Sequence, residues 1–393
     1  MKTLLLGVTG SIAAYKSATL AHSLKKNGIN VNVIMTENAT KIITPLTFEH
    51  LTSNKCVTDT FERAASYDVK HISLAQSADC ILIAPATANI IGKLANGIAD
   101  DMLTTTVMAS KAPVYIAPAM NTAMYESPAN QRNLKILESY GYHIIEPAEG
   151  LLACGDVGKG KMPEPSVLEE YIYRELNDKK DLIGKRILVS AGATCEDIDP
   201  VRYITNRSSG KMGCEIARAA LRRGASVTLV AAHMETEPPI LAEVVRVRSA
   251  SEMFEEIKSR YENTDIVIKA AAVADYTPTS TADNKIKKKE GDLSIPLKRT
   301  EDILSYLGKN KKKQFLCGFS METENLEENS LKKLKSKNAD MIVANSLRTP
   351  GAGFATDTNV VTLITKQGLE QKDIMSKYDV ANTILDKISE MMR

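Results

Sequence analysis

The chain has 393 residues, 44% of them hydrophobic and 25% charged, with a formal net charge of +2. That length exceeds what one hydrophobic core usually organises and predicts two domains of roughly 180 to 200 residues. The near balance of charge excludes a strong general attraction to nucleic acid or membrane, so any phosphate binding has to be local.

The N-terminus, MKTLLLGVTG, runs a short apolar stretch straight into Gly and Thr, too short for the core of a signal peptide, and reads as a buried first strand. No later segment approaches the roughly 20 apolar residues needed to span a bilayer, which predicts a soluble cytoplasmic protein. Cys56, Cys80, Cys154, Cys195, Cys214 and Cys317 are scattered without a CxxC pair. They read as small core residues, with Cys154 set apart by its Gly-rich surroundings.

Apolar runs alternate with helix-period stretches along the whole chain, the pattern of parallel sheets covered on both faces. In the first half the strands are expected at Thr3–Gly7, Asn30–Met35, Cys80–Ala84, Val114–Ala117 and Tyr142–Ile145. Helices are expected at Ile12–Lys26, Thr87–Asn96 and Gln131–Ser139. Gly7-Val-Thr-Gly10-Ser11 follows the first strand, so its backbone N–H groups and the Ser11 hydroxyl either cradle a phosphate or merely make the turn. Ala84-Pro-Ala-Thr87-Ala-Asn89 supplies a second small polar loop after a strand, and together the two suggest a mononucleotide site.

His71 falls at the start of a helix and is either structural or a proton carrier. Asn121, in Pro118-Ala-Met-Asn-Thr-Ala-Met124, stands just after a strand, where it serves either as a ligand contact or as a helix N-cap. The segment from Cys154 to Pro165 is rich in Gly and ends in Pro, and it reads as a mobile flap carrying a thiol.

In this order the motifs GSIAAYK (Gly10–Lys16), His71, APATAN, PAMNxxM and ACGDxGxGxM (Ala153–Met162) resemble the phosphopantothenoylcysteine decarboxylases of the homo-oligomeric flavin cysteine decarboxylase family. The resemblance implies that FMN oxidises a cysteine thiol to a thioaldehyde, carbon dioxide leaves, and the resulting enethiol is protonated and reduced. His71 would be the base or proton relay, Asn121 would position the carboxylate, and Cys154 would protonate the enethiol. FMN contacts are implied at Gly10, Ser11, Thr36, Thr87 and Asn89. Relatives acting on peptide C-terminal cysteines share the His and Asn motifs, so this half alone leaves the substrate open.

The charged stretch Arg174–Lys185 marks a seam, predicting domains at 1–180 and 181–393. Beyond it, strands are expected at Arg186–Ser190, Ser226–Ala231, Asp265–Ala270, Gln314–Gly318, Met341–Ala344 and Val360–Ile364. The pair Gly210-Lys211 is not a Walker A loop, because the first Gly is missing and Met212 stands where Ser or Thr would bind magnesium. What remains is a Ser- and Gly-rich helix entry suited to an anion. The run Lys285-Ile-Lys-Lys-Lys289 is a solvated loop or a basic patch, and an aromatic content of 5% argues against an extended nucleic-acid face. Lys333 and Lys337 lie one turn apart on an expected helix and share a face.

This half resembles phosphopantothenate–cysteine ligase, most distinctively in DPVRYITNxSSGKMG (Asp199–Gly213). The resemblance implies activation of phosphopantothenate by CTP, with Mg2+, as an acyl-cytidylate that the amine of cysteine then attacks. Asn206 would hold the acyl intermediate and Lys285 would assist its formation. Arg202, Ala271, Asp275, Phe319, Lys333 and Lys337 would contact substrate or nucleotide here, as Met124 of the PAMNxxM motif would contact substrate in the first half, with no residue assigned to the metal. Departures are Cys195 where Arg is expected, Arg207 where His is common, and Thr300-Glu-Asp-Ile303 in place of an Asn-Pro-Asp-Ile segment.

The resulting expectation is an α/β chain of two doubly wound, mostly parallel three-layer domains. The first is a flavodoxin-like or Rossmann-like flavin cysteine decarboxylase fold and the second a Rossmann-like ligase fold. Together they would make phosphopantetheine for coenzyme A. Alternatives are a flavoprotein acting on another cysteine-ended substrate and a non-enzymatic flavin-binding regulator. By family resemblance the decarboxylase would form trimers and the ligase dimers, which combine into a closed dodecamer; no nucleic acid or membrane partner is expected.

Overall fold

A computed structural model of the chain describes residues 1–61, 69–152, 155–288, 293–322, 326–346 and 356–393. The chain divides into two compact units, Met1–Leu176 and Asn177–Arg393.

The first unit runs β1 (Thr3–Val8), α1 (Ala14–Lys26), β2 (Asn30–Met35), α2 (Glu37–Thr40), α3 (Pro45–Thr52), α4 (Lys70–Ser77), β3 (Cys80–Ala86), α5 (Ala88–Ala95), α6 (Met102–Ala109), β4 (Val114–Pro118), α7 (Thr122–Glu126), α8 (Pro128–Ser139) and β5 (His143–Ile144). A ribbon, β6 (Ala148–Leu151) and β7 (Val157–Lys161), and the helix α9 (Pro165–Leu176) complete it. Its sheet is parallel in the order β2-β1-β3-β4-β5. The alternation of a strand explains the run Leu4-Leu5-Leu6. Leu4 and Leu6 enter a core with Leu20 of α1 and Leu168 of α9, while Leu5 enters one with Ile90 of α5 and Leu103 of α6. Burying each such side chain contributes about 2 kcal/mol.

The second unit runs β8 (Arg186–Ala191), β9 (Cys195–Asp197), β10 (Tyr203–Thr205), α10 (Lys211–Arg222), β11 (Ser226–Ala231), β12 (Glu243–Arg246), α11 (Ala250–Tyr261), β13 (Ile266–Lys269), β14 (Tyr276–Pro278), β15 (Leu297–Arg299) and α12 (Ile303–Lys309). It continues with β16 (Phe315–Glu322), α13 (Leu326–Ser336), β17 (Met341–Ser346), β18 (Thr358–Asn359), β19 (Val361–Thr365), β20 (Gly368–Gln371), β21 (Met375–Ser376) and α14 (Lys377–Met391). The main sheet has the order β12-β11-β8-β13-β16-β17-β19-β20, parallel from β12 to β17. Both units are thus doubly wound α/β, with cores on the two faces of each sheet.

Several expectations shift. The strand expected at Val360–Ile364 lies at Val361–Thr365 and pairs antiparallel with β17 and β20, so the far edge of this sheet is mixed. Helix α1 begins at Ala14 rather than Ile12, because Gly10–Ala13 is spent on a turn. Helix α8 begins three residues before Gln131, since the Ser127 hydroxyl caps Asn130 N–H at 3.3 Å and Pro128 fits the first turn. Within the Gly-rich segment expected as a flap, Val157–Lys161 pairs antiparallel with Ala148–Leu151 as the ribbon β6–β7.

Candidate functional sites at the two topological switch points

In the first unit β1 and β3 are neighbours whose connections leave in opposite directions, so a crevice opens at their carboxyl ends. The loops there are fastened by hydroxyls. Thr9 Oγ1 donates to Pro85 O at 2.7 Å and accepts from Thr87 N at 3.1 Å, and Ser17 Oγ donates to Ala84 O at 2.6 Å. Thr9 and Ser17 are buried and were not singled out from the sequence; their only signal is a hydroxyl inside an apolar run. At Gly10 a Cβ would come within 2.6 Å of the Asn38 Cβ, so only glycine lets the turn approach α2 this closely. Ser11, half-buried, accepts the Ala13 N–H at 3.4 Å.

Thr36 opens α2 at the carboxyl end of β2, and its N–H donates to Val8 O at 3.0 Å. Thr87 caps α5 by accepting the Ile90 N–H at 3.4 Å, and Asn89 is exposed in the first turn of that helix. The structure therefore gathers Gly10, Ser11, Thr36, Thr87 and Asn89 at the carboxyl ends of β1, β2 and β3. Hydroxyls, an amide and the first-turn N–H groups of α5 make an uncharged donor set, which fits a phosphomonoester and the heteroatoms of a flavin ring.

His71 lies half-buried in the first turn of α4. Asn121 combines both of its expected roles. Its Oδ1 accepts the Ala123 N–H at 2.8 Å as the cap of α7, and its Nδ2 donates to Asp156 Oδ2 at 2.7 Å. Met124 is on the same helix with half its surface exposed. The ribbon is drawn onto this loop by Met120 N–H donating to Gly160 O at 2.9 Å. Gly160 has φ +139°, and a Cβ there would collide with Met120 O. Lys16 Nζ pairs with Glu164 Oε1 at 2.7 Å, joining α1 to the segment after the ribbon, and this hydrogen bond holds the Glu164 carboxyl below its ordinary value. Cys154 lies outside the described residues.

In the second unit the reversal lies between β8 and β13. The loop after β13 is pinned along its length. Ser190 Oγ accepts Ala271 N–H at 3.2 Å, Thr194 Oγ1 accepts Ala274 N–H at 3.0 Å, and Thr300 Oγ1 donates to Ala274 O at 2.6 Å. A cavity of about 550 Å³ opens beside it, lined by Ala271, Asp275, Phe319, Lys333 and Lys337. Those are five of the positions expected to meet the nucleotide. The same cavity is lined by Lys269, Arg299 and Asp302, which the sequence reading did not assign.

Lys333 Nζ donates to Phe319 O at 2.8 Å, and Lys337 Nζ pairs with Asp302 Oδ2 at 2.7 Å. Lys337 follows the last residue of α13, yet its N–H still donates to Lys333 O at 3.0 Å, which keeps the two lysines on one face. Asp302 also caps α12 by accepting Ser305 N–H at 2.8 Å. Burial raises its carboxyl, but the Lys337 and Ser305 bonds outweigh this and leave it below its ordinary value.

Asn206, Lys285 and Arg202 do not line this cavity. Asn206 Nδ2 donates to Ala272 O at 3.2 Å, which places its amide on the pinned loop. Arg202 is engaged structurally. Its Nε and Nη2 donate to Asp199 Oδ2 at 3.0 and 2.6 Å, and Nη2 also donates to Ile286 O at 3.0 Å. Asp199 Oδ2 accepts the Ile286 N–H at 3.1 Å, so the buried Asp199 anchors the loop that carries the exposed Lys285. The Arg202 hydrogen bond leads the causes that hold the Asp199 carboxyl far below its ordinary value. Cys195 is buried, its Sγ 3.7 Å from Thr205 Oγ1. Among the described residues no group of three or more His, Cys, Asp or Glu is placed to hold a metal ion.

The flavoprotein family model matches residues 1–177, and that of the DNA/pantothenate metabolism flavoprotein C-terminal domain matches residues 182–392. The chain is 48% identical over 396 aligned positions to the coenzyme A biosynthesis bifunctional protein CoaBC of Bacillus subtilis, covering 100% of this chain and 98% of that one. It is 42% identical to the protein of the same name from Borreliella burgdorferi, covering 98% of each. A cysteine/cysteine sulfinic acid decarboxylase from an unknown prokaryotic organism is 47% identical over 354 positions, covering 88% of this chain and 99% of that one. With both halves matched in order and full-length relatives well above 30% identity, the chain belongs to the family of bifunctional coenzyme A biosynthesis proteins, a flavoprotein unit joined to a pantothenate-metabolism C-terminal unit.

Proposed function

We propose that the chain carries out two successive steps of coenzyme A biosynthesis. The unit at 181–393 condenses 4'-phosphopantothenate with L-cysteine at the expense of CTP, with Mg2+ on the phosphates, through an acyl-cytidylate. The unit at 1–180 then decarboxylates the product to 4'-phosphopantetheine. The observation that carries this reading is the pair of switch-point sites in one chain, one built of uncharged donors and one a cavity lined by lysines and carboxylates.

Bound FMN supplies an acceptor and later a donor of hydride, which makes the decarboxylation redox-neutral overall. Gly10, Ser11, Thr36, Thr87 and Asn89 would hold it. His71 takes the thiol proton, as an imidazole near neutral pH can. An amide that already holds the carboxylate of Asp156 has the donor chemistry to orient the carboxylate of the substrate, which is the role given to Asn121. Met124 would contact substrate, and Cys154 would return a proton to the enethiol carbon.

In the second unit Ala271, Asp275 and Phe319 would seat the nucleoside, with Lys333 and Lys337 on its phosphates. Lys285 would offset the charge that develops on the α-phosphate as the acyl phosphate bond forms, and Asn206 would hold the acyl group. Arg202 contributes by fixing the Lys285 loop through Asp199 and Ile286.

Among the described residues no helix is long and apolar enough to cross a membrane. We place the protein in the cytoplasm as a homo-oligomer, with trimeric decarboxylase and dimeric ligase contacts.

The test is to supply the purified protein with phosphopantothenate, cysteine, Mg2+ and either CTP or ATP, following pyrophosphate and product mass. Phosphopantetheine formed with CTP is the expected result. Phosphopantothenoylcysteine accumulating instead would refute the decarboxylase roles. Decarboxylation of free cysteine with no nucleotide would point to the activity named for the cysteine/cysteine sulfinic acid decarboxylase relative.

A further inference from the structure

We infer that Lys269, buried at the carboxyl end of β13, is a further polyphosphate-binding residue of the second unit's cavity, acting with Lys333 and Lys337. The inference rests on the reading of that cavity as a nucleotide site.

Lys269 is 8% exposed yet lines the cavity. No Asp or Glu oxygen lies within 4.0 Å of its ammonium among the described residues; its contact is the Met253 sulfur at 4.0 Å, a weak acceptor. An ammonium so placed is costly unless an anion pairs with it, and an apolar side chain would sit there at less cost.

The charged groups around it are committed elsewhere. Asp302 attracts it, but the Asp302 carboxylate is held by Lys337 at 2.7 Å and by the Ser305 N–H. Lys333 repels it and gives its own ammonium to Phe319 O. Asp275, Glu301 and Arg299 also line the cavity. Burial is the first cause that lowers the Lys269 ammonium to about 7. The amine is therefore partly uncharged while the cavity holds no anion, and it becomes fully charged when one arrives.

The chemistry that would recruit it is a compact group of several negative charges. Lys269 comes from the end of β13, Lys333 from α13 and Lys337 from the residue just after that helix, so three lysines from two parts of the chain line one cavity. The volume of about 550 Å³ suits a nucleoside triphosphate.

Isothermal titration of the full-length protein with CTP, and separately with inorganic pyrophosphate, between pH 7.5 and 9 tests this. Buffers of different ionisation heat report the protons taken up. Above pH 7.5 the triphosphate of CTP is already ionised, so proton uptake is read with CTP, while pyrophosphate, which keeps its last proton through most of this range, reports affinity alone; among the described residues no histidine lines the cavity. The wild-type protein is expected to take up most of one proton on binding near pH 8. Its affinity should fall by up to about tenfold per pH unit as the free amine loses its charge. Lys269→Met, close in shape and able to pack on Met253, is expected to bind about tenfold more weakly at pH 7.5, with neither proton uptake nor pH dependence.

A Lys269→Met protein that keeps wild-type affinity and pH dependence overturns the inference. If that variant does not fold, absence of proton uptake by the wild type overturns it instead. Wild-type protein that binds neither ligand overturns the nucleotide reading of the cavity and the inference with it. Wild-type binding without Lys269 linkage leaves the nucleotide reading standing and removes Lys269 alone.

Discussion

The two units use one architectural solution with opposite electrostatics. At the β1/β3 reversal of the first, the groups that shape the crevice are hydroxyls, amides and backbone N–H, and the ties between loops run from Thr9 and Ser17 to carbonyls. Beside the β8/β13 reversal of the second, lysines, an arginine and carboxylates face one cavity. Neutral donors hold a group by shape and direction and change little with pH or salt. Clustered charges attract a strongly charged ligand from further away and respond to both. The first arrangement suits a cofactor that stays, and the second suits a co-substrate that must enter and leave.

Breaking one site should therefore spare the other. The largest effect is expected from Asn121→Ala, which should lower decarboxylation by about a thousandfold, in the range for lost orienting groups in catalysis. Phosphopantothenoylcysteine should then accumulate while flavin absorbance and pyrophosphate release stay as in the wild type. Equal loss of both steps would sink the separation.

Next is Arg223→Ala. Arg223 is fully buried, with Nε donating to Asp181 Oδ1 at 2.8 Å and Nη1 to Asp386 Oδ1 at 2.6 Å. Stranding these carboxylates should destabilise the second unit by about 3 kcal/mol, read as one shifted calorimetric transition with the flavin-linked transition unmoved. Burial raises Asp181, but the Arg223 bond outweighs it and depresses its carboxyl overall. This contribution to stability is present above the unfolded carboxyl's ordinary value near 4 and is lost as pH falls below it.

Lys285→Ala should slow ligation by about a hundredfold and leave decarboxylation of supplied phosphopantothenoylcysteine intact, measured as two separate assays. Unchanged ligation would remove Lys285 from the chemistry.

The buried Lys269 sharpens the contrast through pH. Its folded amine loses its proton above about 7, whereas an unfolded lysine keeps its own until about 10. Between those values the unfolded state binds more protons. Stability of the second unit should therefore rise with pH, by up to about 1.4 kcal/mol per unit, and Lys269→Met should flatten the slope. The smallest change is Thr87→Ala. Losing the cap of α5 should cost the first unit about 1 kcal/mol and weaken flavin retention, with no effect on ligation.

What could be read without coordinates was set by burial. Parallel strands covered on both faces, such as Leu4–Leu6 and Ile266–Ile268, stand out as unbroken apolar runs, and the polar loops at their carboxyl ends follow directly. Half-exposed strands do not. Glu243–Arg246 and Gly368–Gln371 are four-residue runs interrupted by charges, too short to stand out, and only their neighbours β11 and β19 make them strands. The pairing of Val157–Lys161 with Ala148–Leu151 is hidden by the glycines of these strands, since it depends on the facing strand. Arg202 stands out in its motif, but only the fold shows that its Nη2 meets both Asp199 and Ile286, the latter 84 residues further along the chain. Nothing in the sequence marks Lys269, since only the fold shows that it is buried beside a cavity.

The segment at the seam determines where this chain can be divided for separate production of its halves. Asn177 Nδ2 donates to Arg222 O at 2.9 Å, Lys179 pairs with Asp386, and Asp181 with Arg223, so these charged residues are the first fastening of the second unit and not spare linker. A gene fragment for the ligase half that starts at Lys185 would discard that fastening and expose Arg223, whereas one starting at Asn177 keeps it.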